Sequence, residues 1–466
     1  MYDAVIIGAG IGGLVCGCFL AKAGMKVLIV EQHHKPGGYC TSFSRKGFYF
    51  DAAAHSFGGY RNGPLGNIFR ELGLEKRLSI QRFNPSDTIV TPDYRVSFWS
   101  DVEETIADFQ SSFPDEKENI KNFFYFLFDP DPNAFARIRS WTFNMLLDNY
   151  FHNSRLKAIL SYPLLGNGGL PPSLISAFLG AKIYKEFLLD GGYYPEGGMQ
   201  KLPDALAEIL REFGGELQLS RLVRKIRVSD NKVDGILLEK AEFIPCKMVV
   251  SNCSARHTFL NLLGINNIPQ DFAKKLNGMI PSLSMFIAYL GMDQPYTEWP
   301  AGINMWFLFK YDVHSLYRSS KRWDYKNIDG YMAHLSGDRR WILAFLNAPF
   351  KSRKYWAINK SSLLNYFIER LEKTSIPGLS QHLIYRDAAT PSTLARYTLN
   401  YKGAAYGWEG IPSQFVDSDF RKPSFLQGLY LTGHWSTQGL GIPGVTYLGF
   451  DTARMLIKRA RRKYLI

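Results

Sequence analysis

The sequence predicts an α/β protein of two interleaved domains, and three observations carry that expectation. A strand, a glycine turn and a helix open the chain; a second strand, glycine turn and helix close it; the long stretches between are rich in Phe, Tyr, Trp and Leu. At 466 residues the chain exceeds the usual size of one domain. Hydrophobic residues at 46% and charged residues at 21% are those of a folded globular protein and exclude a disordered one.

In "YDAVIIGAGIGGLVCGCFLAKAGMKVLIVEQ" a β-branched apolar run leads into Gly8, Gly10 and Gly13 at the spacing G-x-G-x-x-G, then into an alanine-containing helix closed by Gly24. A strand from Met25 to Val30 follows and delivers Glu31. Strand, loop, helix, strand and acid in that order predict a Rossmann-type dinucleotide site. Gly8 permits the tight turn, Gly10 lets a pyrophosphate approach the backbone, and Gly13 lets the helix pack on the strand. With Ala9, Ile11 and Gly12 they form a loop whose helix N-terminus offers N–H groups to an anion. Glu31, with Gln32 beside it, is placed to accept hydrogen bonds from both hydroxyls of an adenosine ribose, which disfavours a 2′-phosphate. NAD and FAD both meet these terms. In "KPGGYCTSFSRKGFYFDAAAHSFGG" the pair Gly37 and Gly38, followed by Tyr39, adds a second close approach of backbone and favours the longer ligand.

The order G-x-G-x-x-G, acid, P-G-G and "GFYFD" resembles the flavin amine oxidase superfamily. Within it the phytoene desaturase, carotenoid isomerase and retinol saturase branch fits best, and three further stretches carry that resemblance. The segment from Tyr193 to Ile226 is similar to one in which a G-G turn starts a helix and a later strand reaches the adenine, which implies a backbone contact at Val223. "KMVVSNCSARHTFLNLLG" resembles the next strand, and "ATPSTLARYTLNYKGAAYGWE" a late segment of the branch. The C-terminal "LYLTGHWSTQGLGIPGVTYLGF" resembles the last flavin-binding element, with a strand, a loop from Gly433 to Gly444 and a helix from Val445. The resemblance implies FAD as cofactor, with Gly433, Gly441, Ile442 and Val445 at the flavin. The N-terminus of that helix would face the N1/C2-carbonyl side of the ring and stabilise its anionic reduced form. The two glycine turns thus divide the work: the first holds the phosphates, the last the redox ring. Two positions depart from the family, Tyr39 where Arg or Asn is common, and His434 with Trp435 where small residues are common.

These elements imply an FAD-binding domain of residues 1–80, 190–253 and 402–466 and an α+β substrate domain of residues 81–189 and 254–401. Stretches such as "FFYFLF" and "WTFNMLLDNYF" suit a core or the lining of a tunnel for an apolar ligand. No second G-x-G-x-x-G follows a strand, because the prolines after "LGNGGLPP" prevent a helix start, so an external acceptor or donor such as a quinone or oxygen is expected. The reactions the resemblance implies are desaturation, cis-trans isomerisation or saturation of a carotenoid or similar polyene lipid. His55 and His434 are the candidate catalytic groups, as a proton acceptor or charge near the ring. Arg45, Tyr406 and Trp408 are further candidates for lining the site. Two other readings are a flavin amine oxidase acting on a small amine, and a flavin-free prenyl-binding escort, since the GDP dissociation inhibitors resemble this fold.

The net charge of +13 points to an anionic partner, and Arg454, Lys458, Arg459, Arg461, Arg462 and Lys463 concentrate charge at the C-terminus. With no zinc-finger spacing and no RNA-stacking module, a membrane surface is favoured over nucleic acid. The uncharged run between Lys157 and Lys182 is interrupted by Pro163, Pro171, Pro172 and four glycines, and is expected to be a buried or monotopic surface rather than a crossing. No secretory signal is visible, and five cysteines without a C-x-x-C pair argue for a reducing compartment. The expected location is cytoplasmic and peripherally membrane-associated. Neither the nine histidines nor Cys16 and Cys18, two apart on a helix, have metal-ligand spacing, so no metal is expected.

Overall fold

The computed structural model describes residues 1–128, 132–417, 420–439 and 441–463. Two seven-stranded sheets organise them. In the first, Phe243–Ser251, Tyr2–Ile7, Val27–Val30 and Glu216–Gln218 run parallel in that order, and Leu429–Leu431 joins Phe243–Ser251, also in parallel. Lys232–Leu238 and Val223–Ser229 extend this sheet antiparallel. Val27–Val30 is buried at every residue, as expected of a parallel strand covered on both faces. Helix Ile11–Lys22 packs against Lys201–Glu212 and against Gly441–Lys463, and is buried from Ile11 to Ala21. The second strand starts at Val27, not Met25, because the Met25 N–H donates to the Leu20 carbonyl (3.2 Å) and still belongs to the helix end.

The second sheet runs Leu383–Ala389, Ser284–Met292, Trp341–Ala348, Gly330–Leu335, Asn304–Leu308, Asp87–Val90 and Arg95–Phe98. Only Asn304–Leu308 with Asp87–Val90 is parallel. Alternation divides its two faces. Phe286, Ala288, Leu290, Met305, Phe307 and Ala344 point into the largest apolar core, which helix Arg353–Thr374 covers with Trp356 and Phe367. Met285, Ile287, Trp306, Met332 and Phe345 point the other way and border a cavity.

Both aromatic stretches singled out in the sequence fill that core. Phe123, Phe124 and Leu127 of helix Lys117–Phe128 and Phe143, Leu146 and Leu147 of helix Phe143–Tyr150 are buried there. The uncharged run is largely buried too, with Ser173 and Leu174 exposed, but Pro163 does not interrupt it, since helix Ser154–Gly168 continues through this residue. The helix stops at Gly169, whose φ of +75° is a left-handed cap, and Pro171 and Pro172 follow. No helix among the described residues is long and apolar enough to cross a membrane. In the basic tail, residues 464–466 and the side chains of Arg462 and Lys463 lie outside the described residues.

Candidate active site

The first strand ends at a turn that only small backbone can build. Gly8 has a φ of +97°, and a Cβ on Gly13 would lie 2.2 Å from the Gly8 carbonyl oxygen, so the helix begins in contact with the turn. Gly10 caps helix Ile11–Lys22 without any side-chain hydrogen bond, leaving the first-turn N–H groups to an anion. Gly37 sits beside this loop, donating its N–H to the Ala9 carbonyl (2.9 Å), and Gly38 follows with a φ of +61°.

Asn252, a residue the sequence reading did not single out, ties the turns together. It follows strand Phe243–Ser251, donates its N–H to the Ile7 carbonyl (2.9 Å) and its Nδ2–H to the Gly8 carbonyl (3.4 Å). A Cβ on Gly10 would come within 2.9 Å of its Nδ2, and one on Gly433 within 2.5 Å of its Oδ1. Its only sequence signal is a polar residue directly after an apolar strand.

At the C-terminal turn the strand Leu429–Leu431 leads to a short 3₁₀ turn, Gly433–Trp435. The last helix spans Gly441–Lys463, starting four residues before the expected Val445; Leu440, in the expected loop, lies outside the described residues. Pro443 falls in the first turn of this helix, where its missing N–H leaves no bond unmade. The two glycine turns are neighbours in space, because a Cβ on Gly12 would lie 3.2 Å from the Val445 carbonyl oxygen and one on Gly449 would lie 2.4 Å from that of Gly12.

One continuous cavity of about 960 Å³ connects these pieces. Gly8, Gly10, Ile11, Gly12, Glu31 and Gln32 border it at one end, and Val223, Gly37, Gly38 and Tyr39 join them. Gly433, His434, Gly441, Ile442 and Val445 border it as well, and so does one face of the second sheet. Ala9 and Gly13 stand behind the loop and do not border it. Glu31 accepts from the N–H groups of Ala9 (2.8 Å) and His33 (2.9 Å). Burial pushes its carboxyl up, and these donors partly offset that effect. Gln32 donates its amide to the Tyr397 carbonyl (3.0 Å). Tyr39, which stands where the family commonly has Arg or Asn, donates its hydroxyl to the carbonyls of Ala404 (3.1 Å) and Gly403 (3.3 Å), bracing the P-G-G loop against a distant segment.

His55 and His434 both border the cavity. His55 donates Nδ1–H to the Ala53 carbonyl (3.0 Å), which leaves Nε2 as an acceptor. Burial lowers both imidazoles to about 4, so both are neutral near pH 7. Arg45 and Tyr406 also border the cavity. Trp408 and Trp435 do not: both are buried in the core, edge to face with ring centroids 4.7 Å apart. The Trp435 indole donates to Asn400 Oδ1 (2.6 Å), which holds it in that core.

The sequence reading also missed a polar row on the second sheet, Asp87, Asn304 and His334. Burial pushes the Asp87 carboxyl up to about 6. A carboxyl raised on folding contributes least once both states are ionised, so its contribution to stability falls as pH rises from about 4 to about 6. The buried histidines act with the opposite sign in the same range. Comparison of Asp87→Asn with the parent isolates the carboxyl: the stability difference should move toward the variant by on the order of 3 kcal/mol across this window and stay level above it. Urea unfolding at several pH values reads this directly, and a difference that does not change with pH would contradict it.

The cradle fits FAD: two uncapped or glycine-led helix starts, a loop in which a Cβ would clash, an acid beyond it, and a cavity running between the turns. Residues 11–457 match the family described as flavin containing amine oxidoreductase. Among curated proteins, the chain is 26% identical to all-trans-retinol 13,14-reductase of Danio rerio, covering 92% of this chain and 82% of that one. It is 25% identical to the lycopene-forming phytoene desaturase of Pseudescherichia vulneris, covering 98% and 99%, and 25% identical to the chloroplastic prolycopene isomerase of Daucus carota, covering 96% and 78%. The crystal structure of an oxidoreductase from Methanosarcina mazei shares the fold, with a TM-score of 0.69, 19% identity and coverage of 97% and 99%. The chain therefore belongs to the flavin containing amine oxidoreductase family and is an FAD-dependent oxidoreductase.

Proposed function

We propose that the substrate is a carotenoid or similar polyene lipid, which this enzyme desaturates, saturates or isomerises. The observation that carries this reading is the continuity of one cavity from the glycine turns to the apolar wall of Met285, Ile287, Trp306, Met332 and Phe345. The names of the three relatives support it, and each corresponds to one of the three reactions.

FAD supplies hydride exchange at N5 of its ring when bound. Everything else falls to the chain. The N–H groups of Ile11 and Gly12 would hold the pyrophosphate, Glu31 the ribose and the Val223 backbone the adenine, while the N-terminus of helix Gly441–Lys463 would favour negative charge on the ring. The apolar wall aligns a substrate that has no charge to grip, and excludes water. Desaturation removes a hydride and a proton from adjacent carbons, saturation adds them, and isomerisation leaves the count unchanged. For desaturation we assign acceptance of the proton to His55, whose Nε2 is the acceptor of a neutral, oriented ring, with His434 as the second candidate. An external quinone, oxygen or other carrier exchanges the electrons.

In this reading residues 1–80, 190–253 and 402–466 serve the cofactor and residues 81–189 and 254–401 the substrate. The basic C-terminal helix, with Arg454, Lys458 and Arg461 exposed, suits an anionic membrane surface from which a lipid is drawn. Incubation with FAD and liposomes containing phytoene or poly-cis lycopene, with and without dithionite, tests the proposal. Loss of hydrogen with a red-shifted spectrum identifies a desaturase, gain a saturase, and unchanged mass with altered fine structure an isomerase. No change with any polyene, together with peroxide release from amines, would replace it with the amine reading.

A further inference from the structure

The apolar wall of the cavity is interrupted by a polar row, whose His334 ring stands 4.8 Å from that of His55, centroid to centroid. Asn304 pairs in direct register with Asp87 on one side and His334 on the other, so all three side chains lie on one face of the sheet. They are 6%, 3% and 1% exposed, respectively. The hydrogen bonds fix each orientation. Asp87 Oδ1 accepts from Trp306 Nε1 (2.8 Å) and Asn304 Nδ2 (3.1 Å), and Asn304 Oδ1 accepts from His334 Nδ1 (2.9 Å). The amide of Asn304 is thereby locked, with its nitrogen toward Asp87. Its second N–H remains, and the Asp87 carboxylate, which also accepts from the Ser86 side chain, keeps lone pairs for a further donor. Asp87 and Asn304 both border the cavity.

We infer that this polar part of the cavity wall binds the hydroxyl of an isoprenoid alcohol, the O–H donating to Asp87 and its oxygen accepting from Asn304, with His334 as the positioning residue. The inference rests on the polyene reading and narrows it to a chain that carries a terminal hydroxyl. A hydrocarbon would strip both groups of water and return no hydrogen bond. A ketone oxygen would satisfy Asn304 but oppose the oxygen of Asp87. An ammonium would pair with Asp87 but, having no lone pair, would leave the remaining N–H of Asn304 without an acceptor.

The test is titration of the FAD-loaded protein, read by quenching of tryptophan fluorescence, with three ligands in the same detergent micelles: all-trans-geranylgeraniol, the hydrocarbon with hydrogen in place of its hydroxyl, and the corresponding amine. The alcohol should bind about tenfold more tightly than the hydrocarbon, or better. In Asp87→Asn the new amide oxygen is claimed by Trp306 and Asn304, which turns an N–H toward the ligand, so the preference should shrink several-fold. Equal affinity of alcohol and hydrocarbon in the parent would overturn the inference and leave the polyene reading intact. Failure of all three to bind would overturn both. Tighter binding of the amine than the alcohol would overturn the inference in favour of an amine site.

Discussion

Replacing Gly13 with valine should leave the purified protein colourless. The Cβ would meet the Gly8 carbonyl oxygen at 2.2 Å, and the next atoms in reach are those of Asn252 at 3.0 and 3.1 Å, so neither partner can yield without moving the first strand. Overpacking of this kind costs about 1–3 kcal/mol in stability. The larger effect is on the flavin, because the helix that offers its N–H groups to the pyrophosphate starts at this contact. The ratio of absorbance at 450 nm to that at 280 nm should fall close to that of apoprotein, with circular dichroism checking that the fold persists. Gly278→Ala is the control, because nothing lies within 4 Å of a Cβ there. A yellow Gly13→Val protein would contradict the assignment of this turn.

Gly449→Leu should remove the flavin as well, although Gly449 belongs to neither glycine turn and does not border the cavity. Its Cβ would lie 2.4 Å from the Gly12 carbonyl oxygen and 3.1 Å from the Val15 Cβ. The remaining leucine atoms would force helix Gly441–Lys463 away from Ile11–Lys22. Because each helix presents its N-terminus to the same cavity, separating them spoils the phosphate end and the ring end together. We expect at least about a tenfold rise in the Kd for FAD, the equivalent of 1.4 kcal/mol, measured by titrating apoprotein with FAD. An unchanged Kd would show that the packing of these helices does not set the cofactor site.

What could be read from the sequence follows from the distance over which each feature is encoded. Gly8, Gly10, Gly13 and Glu31 belong to one strand–helix–strand unit, and the order of residue types alone points to their roles. The C-terminal turn was legible by resemblance, but its helix begins at Gly441 because Pro443 is accepted in a first turn. In the sequence Pro163 suggests a break, yet a buried helix with packed neighbours tolerates it. Trp408 and Trp435 sit in stretches that border the cavity, but backbone proximity does not say which way an indole points. Asp87, Asn304 and His334 were invisible for a different reason. They come from three distant segments and meet only through strand register, which no local pattern announces. Asn252 was hidden similarly, its importance lying in turns at both ends of the chain.

The central claim is that one cavity holds the flavin and a polyene together. A crystal structure of the FAD-loaded protein with a bound polyene tests it most directly. The account predicts the flavin ring beside Gly433 and the start of helix Gly441–Lys463, with the chain of the polyene along Met285, Ile287, Met332 and Phe345. A flavin in place with the polyene bound elsewhere, or a second sheet shut off from the ring, would contradict it.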